Sequence, residues 1–124
     1  MRRLIVLAFA FVLAGCGSGG SHKTAAPPPL DKHGHWQKLI ESPDGETLLA
    51  QWSGECEFQS VYFIPADGGK PTPVTGRREW SEALGWTDDG LARVRLSNGA
   101  CGTTMHKPGV YLIDPKTHTI SPAS

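Results

Sequence analysis

The sequence predicts an all-β fold: two four-stranded antiparallel repeats packed together, disulfide-stapled, following a signal peptide and a flexible tether. Three observations lead there. Ten prolines and fifteen glycines are spread along 124 residues, which argues against long helices. Short apolar stretches alternate with turn residues, as in strands with two unlike faces. One pattern is also written twice, with an offset of about 45 positions.

The elements follow in order. Residues 1–15 have the layout of an export signal: Arg2 and Arg3, an apolar run from Leu4 to Leu13, then the small Ala14 and Gly15. The run falls short of the roughly 20 apolar residues needed to span a bilayer. Residues 16–35 read as a tether, with a Gly/Ser run at 17–21 and a stiffer Pro27-Pro28-Pro29. The β domain is expected over 36–124.

Its first repeat, 36–76, contains expected strands at 36–41, 47–53, 60–65 and 72–75. The second, 83–124, contains them at 83–87, 92–96, 109–114 and 118–121. Ser42-Pro43-Asp44-Gly45 corresponds to Thr87-Asp88-Asp89-Gly90, and Cys56 to Cys101. Val61-Tyr62-Phe63-Ile64 corresponds to Val110-Tyr111-Leu112-Ile113 at a longer offset, so the second copy holds extra residues, placed near 106–109. Asp-Gly before an apolar run favours a hairpin, because glycine accepts positive φ and Asp bonds the turn.

Two family resemblances follow from these residues. Leu13-Ala14-Gly15-Cys16 resembles the lipobox of bacterial lipoproteins. That resemblance implies a diacylglyceryl group on the Cys16 sulfur, cleavage just before it, and acyl-chain anchoring in a membrane. The SPDG turn with its following strand, and the VYFI and VYLID strands, look like blades of TolB-type (PD40, WD40-like) β-propellers. Here the second copy lacks the proline. Two copies are also fewer than the roughly four blades of a closed ring. The two sheets are therefore expected to pack on each other, or to complete a ring with other chains.

Cys56 and Cys101 remain as an even pair in an oxidising compartment and are expected to form a disulfide. The whole chain has 12 basic and 12 acidic side chains. Residues 1–15 carry two of the basic ones, so the remainder is acidic by two. No basic patch points to nucleic acid.

Candidate sites are few. Trp36 and Trp86 read as repeat-equivalent core residues. Trp80, between the repeats, reads as exposed and is the candidate partner contact. His33-Gly34-His35 lacks a third ligand, so no metal or other cofactor is expected. His22, His106 and His118 read as solvent-facing. Glu55 and Glu57 would share a strand face beside Cys56, and Asp89 serves the turn, so neither Glu55/Glu57 nor Asp88/Asp89 is assigned catalysis. No nucleophile, phosphate-loop or zinc motif occurs.

The expected function is a lipid-anchored, non-enzymatic binding module of the cell envelope with a protein or cell-wall partner. The alternatives are a small envelope hydrolase or metal-dependent enzyme, and a subunit of an oligomeric propeller-like assembly. Gly17 after Cys16 favours the outer membrane in a Gram-negative host. In a Gram-positive host the anchor would lie in the outer leaflet of the plasma membrane.

Overall fold

A computed structural model describes residues 26–98 and 106–123. The described chain forms eight strands in two four-stranded antiparallel sheets, each a meander in chain order. Sheet 1 holds β1 (His35–Glu41), β2 (Thr47–Ser53), β3 (Gln59–Pro65) and β4 (Thr72–Pro73). Sheet 2 holds β5 (Ser81–Trp86), β6 (Ala92–Leu96), β7 (Gly109–Ile113) and β8 (Ile120–Pro122). The expected strands are therefore present to within a few residues. The signal segment, Cys16 and Cys101 lie outside the described residues.

The two copies share their turn chemistry. In the first, the Ser42 hydroxyl donates to Asp44 Oδ1 at 2.7 Å and accepts the Thr47 N–H at 3.1 Å. In the second, the Thr87 hydroxyl donates to Asp89 Oδ1 and accepts the Leu91 N–H at 3.0 Å. Gly45 and Gly90 close these turns with N–H bonds to Ser42 O and Thr87 O, at φ of +74° and +90° that other residues rarely adopt. The second turn is one residue shorter, lacking a counterpart of Glu46. Past the turn, Leu48 therefore matches Ala92, an offset of 44.

Register carries the correspondence further. Leu48 pairs with Ile64 as Ala92 pairs with Ile113. Tyr62 pairs with Pro73 as Tyr111 pairs with Pro122. The face of sheet 1 bearing Leu48, Ala50, Trp52, Tyr62 and Ile64, called its front, is thus equivalent to the face of sheet 2 bearing Ala92, Val94, Leu96, Tyr111 and Ile113.

The sheets stack head to tail. The front of sheet 2 packs on the back of sheet 1, where Leu49, Val61, Phe63 and Val74 complete the larger core. Sheet 1 is buried on its back by sheet 2 and on its front by residues 26–30, and the interior of β2 and β3 is continuously inaccessible. The back of sheet 2 carries Glu82, Arg93, Arg95 and Ser121, with Arg95 paired to Glu82 at 3.0 Å, alongside the half-buried Val110 and Leu112 of β7. Such a mixed, charge-bearing face can stand in water.

Two expectations are corrected here. Trp36 and Trp86 are not repeat-equivalent: Trp36 pairs with Trp52, whereas Trp86 pairs with Ala92 next to the turn. Glu55 and Glu57 do not lie on a strand. Glu55–Glu57 is a short 3-10 turn with Cys56 at φ +60°.

Candidate functional site

The front of sheet 1 has no sheet against it. What covers it begins with strand alternation: Leu48, Ala50 and Trp52 on β2 and Tyr62 and Ile64 on β3 point one way, forming a second, separate apolar cluster. Trp36 completes it from β1. A bulge between Trp36 and Lys38 shifts the register of β1 there. The Trp36 ring meets Trp52 edge-on at 4.9 Å and Tyr62 at 5.7 Å and 90°, which are favoured aromatic arrangements.

Residues 26–30 lie across this cluster. The Trp36 indole N–H donates to the Pro28 carbonyl at 3.1 Å, and Leu30 packs on the same side chains. Part of the segment read as tether is therefore docked on the domain. A turn at 31–34, with the His33 N–H on Asp31 Oδ1 at 2.7 Å, leads into β1. Gly34 is required there by close approach, because a Cβ would sit 2.8 Å from the Trp52 indole and clash with Ser53 O.

The cover is incomplete. A pocket of about 310 Å³ remains between the segment and the sheet, lined by Ala26, Pro27, Pro28, Leu48, Ile64 and Pro71 among others. Leu39, on the same face opposite Ala50, is 40% exposed. Two polar atoms on this face, Trp52 Nε1 and Ser60 Oγ, are buried without a hydrogen-bond partner among the described residues. They belong to residues paired across β2 and β3.

Other sequence candidates are dispersed. His33 Nδ1 lies 3.1 Å from Glu55, both exposed, and His35 points to solvent. No group of three metal-ligating side chains occurs among the described residues. Trp80 is half-buried between the inward-facing Glu79 and Ser81, not fully exposed, and its carbonyl accepts the Ser97 N–H. Asp89 serves its turn. The carboxyl of Asp44 is held below its usual 3.8, first by the Ser42 hydroxyl and then by the Glu46 N–H, with Lys116 assisting.

Sequence reasoning missed one buried carboxylate. Glu79 is 1% exposed, and its Oε1 lies 2.8 Å from His106 Nδ1. His106 also meets the Tyr111 ring edge-on at 6.0 Å, so it is not solvent-facing. His118 Nδ1–H donates to Val74 O at 3.0 Å and its ring abuts Phe63. Neither contact had a signal in the sequence, since 27 and 44 positions separate the partners.

Comparison with protein-family models, with curated proteins and with solved structures found no match.

Proposed function

We propose that the chain is a lipid-anchored lipoprotein of the bacterial cell envelope, and that its β domain is a non-enzymatic binding module working through the front of sheet 1. One observation carries the reading. The front of sheet 2 is sealed by another sheet, whereas the equivalent front of sheet 1 is aromatic, apolar and, among the described residues, covered by a short proline segment. A repeat stack of this kind is heterologous: each front expects a back. The open end is therefore the natural seat for a protein partner.

The anchor half of the reading rests on the LAGC sequence ending at Cys16, and the module half on the blade-like repeats. The same repeats support a Cys56–Cys101 staple between the two copies. An assembly of several chains into one ring would need an apolar back on sheet 2. Glu82, Arg93 and Arg95 oppose that alternative.

The test is photo-crosslinking in intact cells. A crosslinking residue at position 39 is expected to capture one protein that the same residue at position 93, on the back of sheet 2, does not. Equal capture from both positions, or none from position 39, overturns the reading.

A further inference from the structure

On the front of sheet 1 the rings of Trp36, Trp52 and Tyr62 cluster beneath residues 26–30, and the Trp36 indole N–H donates to the Pro28 carbonyl. This is the physical chemistry by which aromatic-lined grooves select left-handed polyproline helices. Prolines supply a preformed, low-entropy ridge, tryptophan supplies a flat apolar wall, and the ring N–H bonds the unusually free backbone carbonyls. We infer that this face is a receptor for proline-rich peptides, that residues 26–30 occupy it in cis, and that the partner of the domain offers a proline-rich segment that displaces them. The inference rests on the reading of the domain as a binding module.

The resident segment fits well enough to define the chemistry and poorly enough to be exchanged. Pro28 and Pro29 are exposed, and Pro27 is only half-buried. Among the described residues, the bond from Trp36 to Pro28 is the polar contact that holds residues 26–30 to the sheet. Leu30 provides an aliphatic foot on the Trp36–Trp52 cluster. At the other end the exposed Ala26 borders a pocket of about 310 Å³ that Leu48 and Ile64 also line, with room for a larger aliphatic side chain. Ala26, Pro27 and Pro28 line the pocket beside Leu48 and Ile64, and Leu30 packs on the Trp36–Trp52 cluster. The preferred occupant is therefore an aliphatic residue, three prolines and a second aliphatic residue, in that order.

A cis occupant lowers the apparent affinity for any competitor by the fraction of molecules in which the face is free. The experiment uses the full chain in detergent micelles, with the Trp36 indole N–H followed by NMR. The probes are two synthetic peptides, Ala-Pro-Pro-Pro-Leu and Leu-Pro-Pro-Pro-Leu, with a proline-free Ala-Gly-Ser-Gly-Leu control. In the variant Pro27→Gly/Pro28→Gly/Pro29→Gly the proline peptides are expected to bind about tenfold or more tightly than to the wild type, as removal of a cis competitor predicts. The leucine-first peptide should bind more tightly than the alanine-first one, and Trp36→Phe should remove the binding while keeping a ring in place. Leu30→Ala is a milder release of the segment, should the triple variant lose its fold.

Absence of any proline-dependent shift in a released variant with wild-type circular dichroism overturns the inference. So does a partner, captured through position 39, that has no proline-rich stretch; that result leaves the binding-module reading standing. Peptide binding without any captured partner does the reverse: the peptide chemistry stands and the module reading falls.

Discussion

Gln51 Oε1, from β2 of sheet 1, accepts the backbone N–H of Ala83 at 2.8 Å, on the edge strand of sheet 2. Lys38 Nζ donates to the Ala83 carbonyl at 3.0 Å, and Gln37 Oε1 accepts from Gln51 Nε2. Side chains of one sheet thus satisfy the free edge of the other where β5 bulges between Ala83 and Gly85. Leaving a buried amide unpaired costs about 1–3 kcal/mol. Gln51→Leu is therefore expected to destabilise the domain by roughly that amount, measured by urea unfolding, with the slope of the transition unchanged. A neutral Gln51→Leu would mean that the bond contributes nothing.

Asp44 gives the first turn a pH dependence. Its carboxyl is held below 3.8 in the folded chain, chiefly by the Ser42 hydroxyl. A lowered folded-state pKa means that its contribution is fully present above the unfolded value and fades as pH falls through the folded one. Asp44→Asn should therefore lower the melting temperature at pH 6, and the gap to the wild type should close as the pH is taken below 3.8. A gap independent of pH would assign the effect to shape and not to charge.

The buried Glu79 depends partly on His106. His106→Ala removes one hydrogen-bond partner from a carboxylate with almost no access to water. A loss of roughly 1–3 kcal/mol is expected in equilibrium unfolding. Pairing the change with Glu79→Leu should recover part of it, since removing both partners costs less than stranding one. Strict additivity of the two substitutions would deny the coupling.

Anchoring is checked by Cys16→Ser. The variant should accumulate as unprocessed precursor without acyl groups, visible by mass spectrometry of the membrane fraction. Normal processing of the variant, with no acyl group on the wild type, would remove the anchor from the proposal.

For Cys56 and Cys101, the expected outcome is resistance to thiol labelling in the native oxidised protein and reactivity after reduction. Closing a loop of this length stabilises a fold by about 4 kcal/mol in the chain-entropy model, so reduction should lower the unfolding midpoint clearly. Ready labelling of both residues before reduction would dispose of the staple.

Much of the fold was legible because turn chemistry is local. Ser42-Pro43-Asp44-Gly45 and Thr87-Asp88-Asp89-Gly90 announce their own hydrogen bonds, and the apolar runs beside them can only be strands. What failed was mostly long-range. Trp36 and Trp86 are 50 positions apart, whereas the strands that carry them correspond at an offset of 45, so Trp36 matches Ser81 and Trp86 matches Glu41. Glu79 and His106 meet only because β5 and β7 belong to one sheet, and no spacing rule records that. Residues 26–30 read as tether because prolines bury little by themselves. Their place on the domain comes from one tryptophan, six residues beyond Leu30, that bonds back to them.

The paired Glu82 and Arg95 on the far side of sheet 2 have a consequence for the chain in company. A stack with an apolar front and an apolar back would add copies of itself without limit, since a head-to-tail contact that does not close grows into a fibre. The charges at one end make the stack a two-layer object with a dead end. Replacing Glu82, Arg93 and Arg95 together by leucine should make the domain assemble into filaments that the wild type does not form, seen by light scattering and electron microscopy. Glu82 thus serves twice: within the molecule it meets Arg95 and, at 3.9 Å, Lys38 of sheet 1, and on the outside its charge and those of Arg93 and Arg95 oppose a further apolar layer.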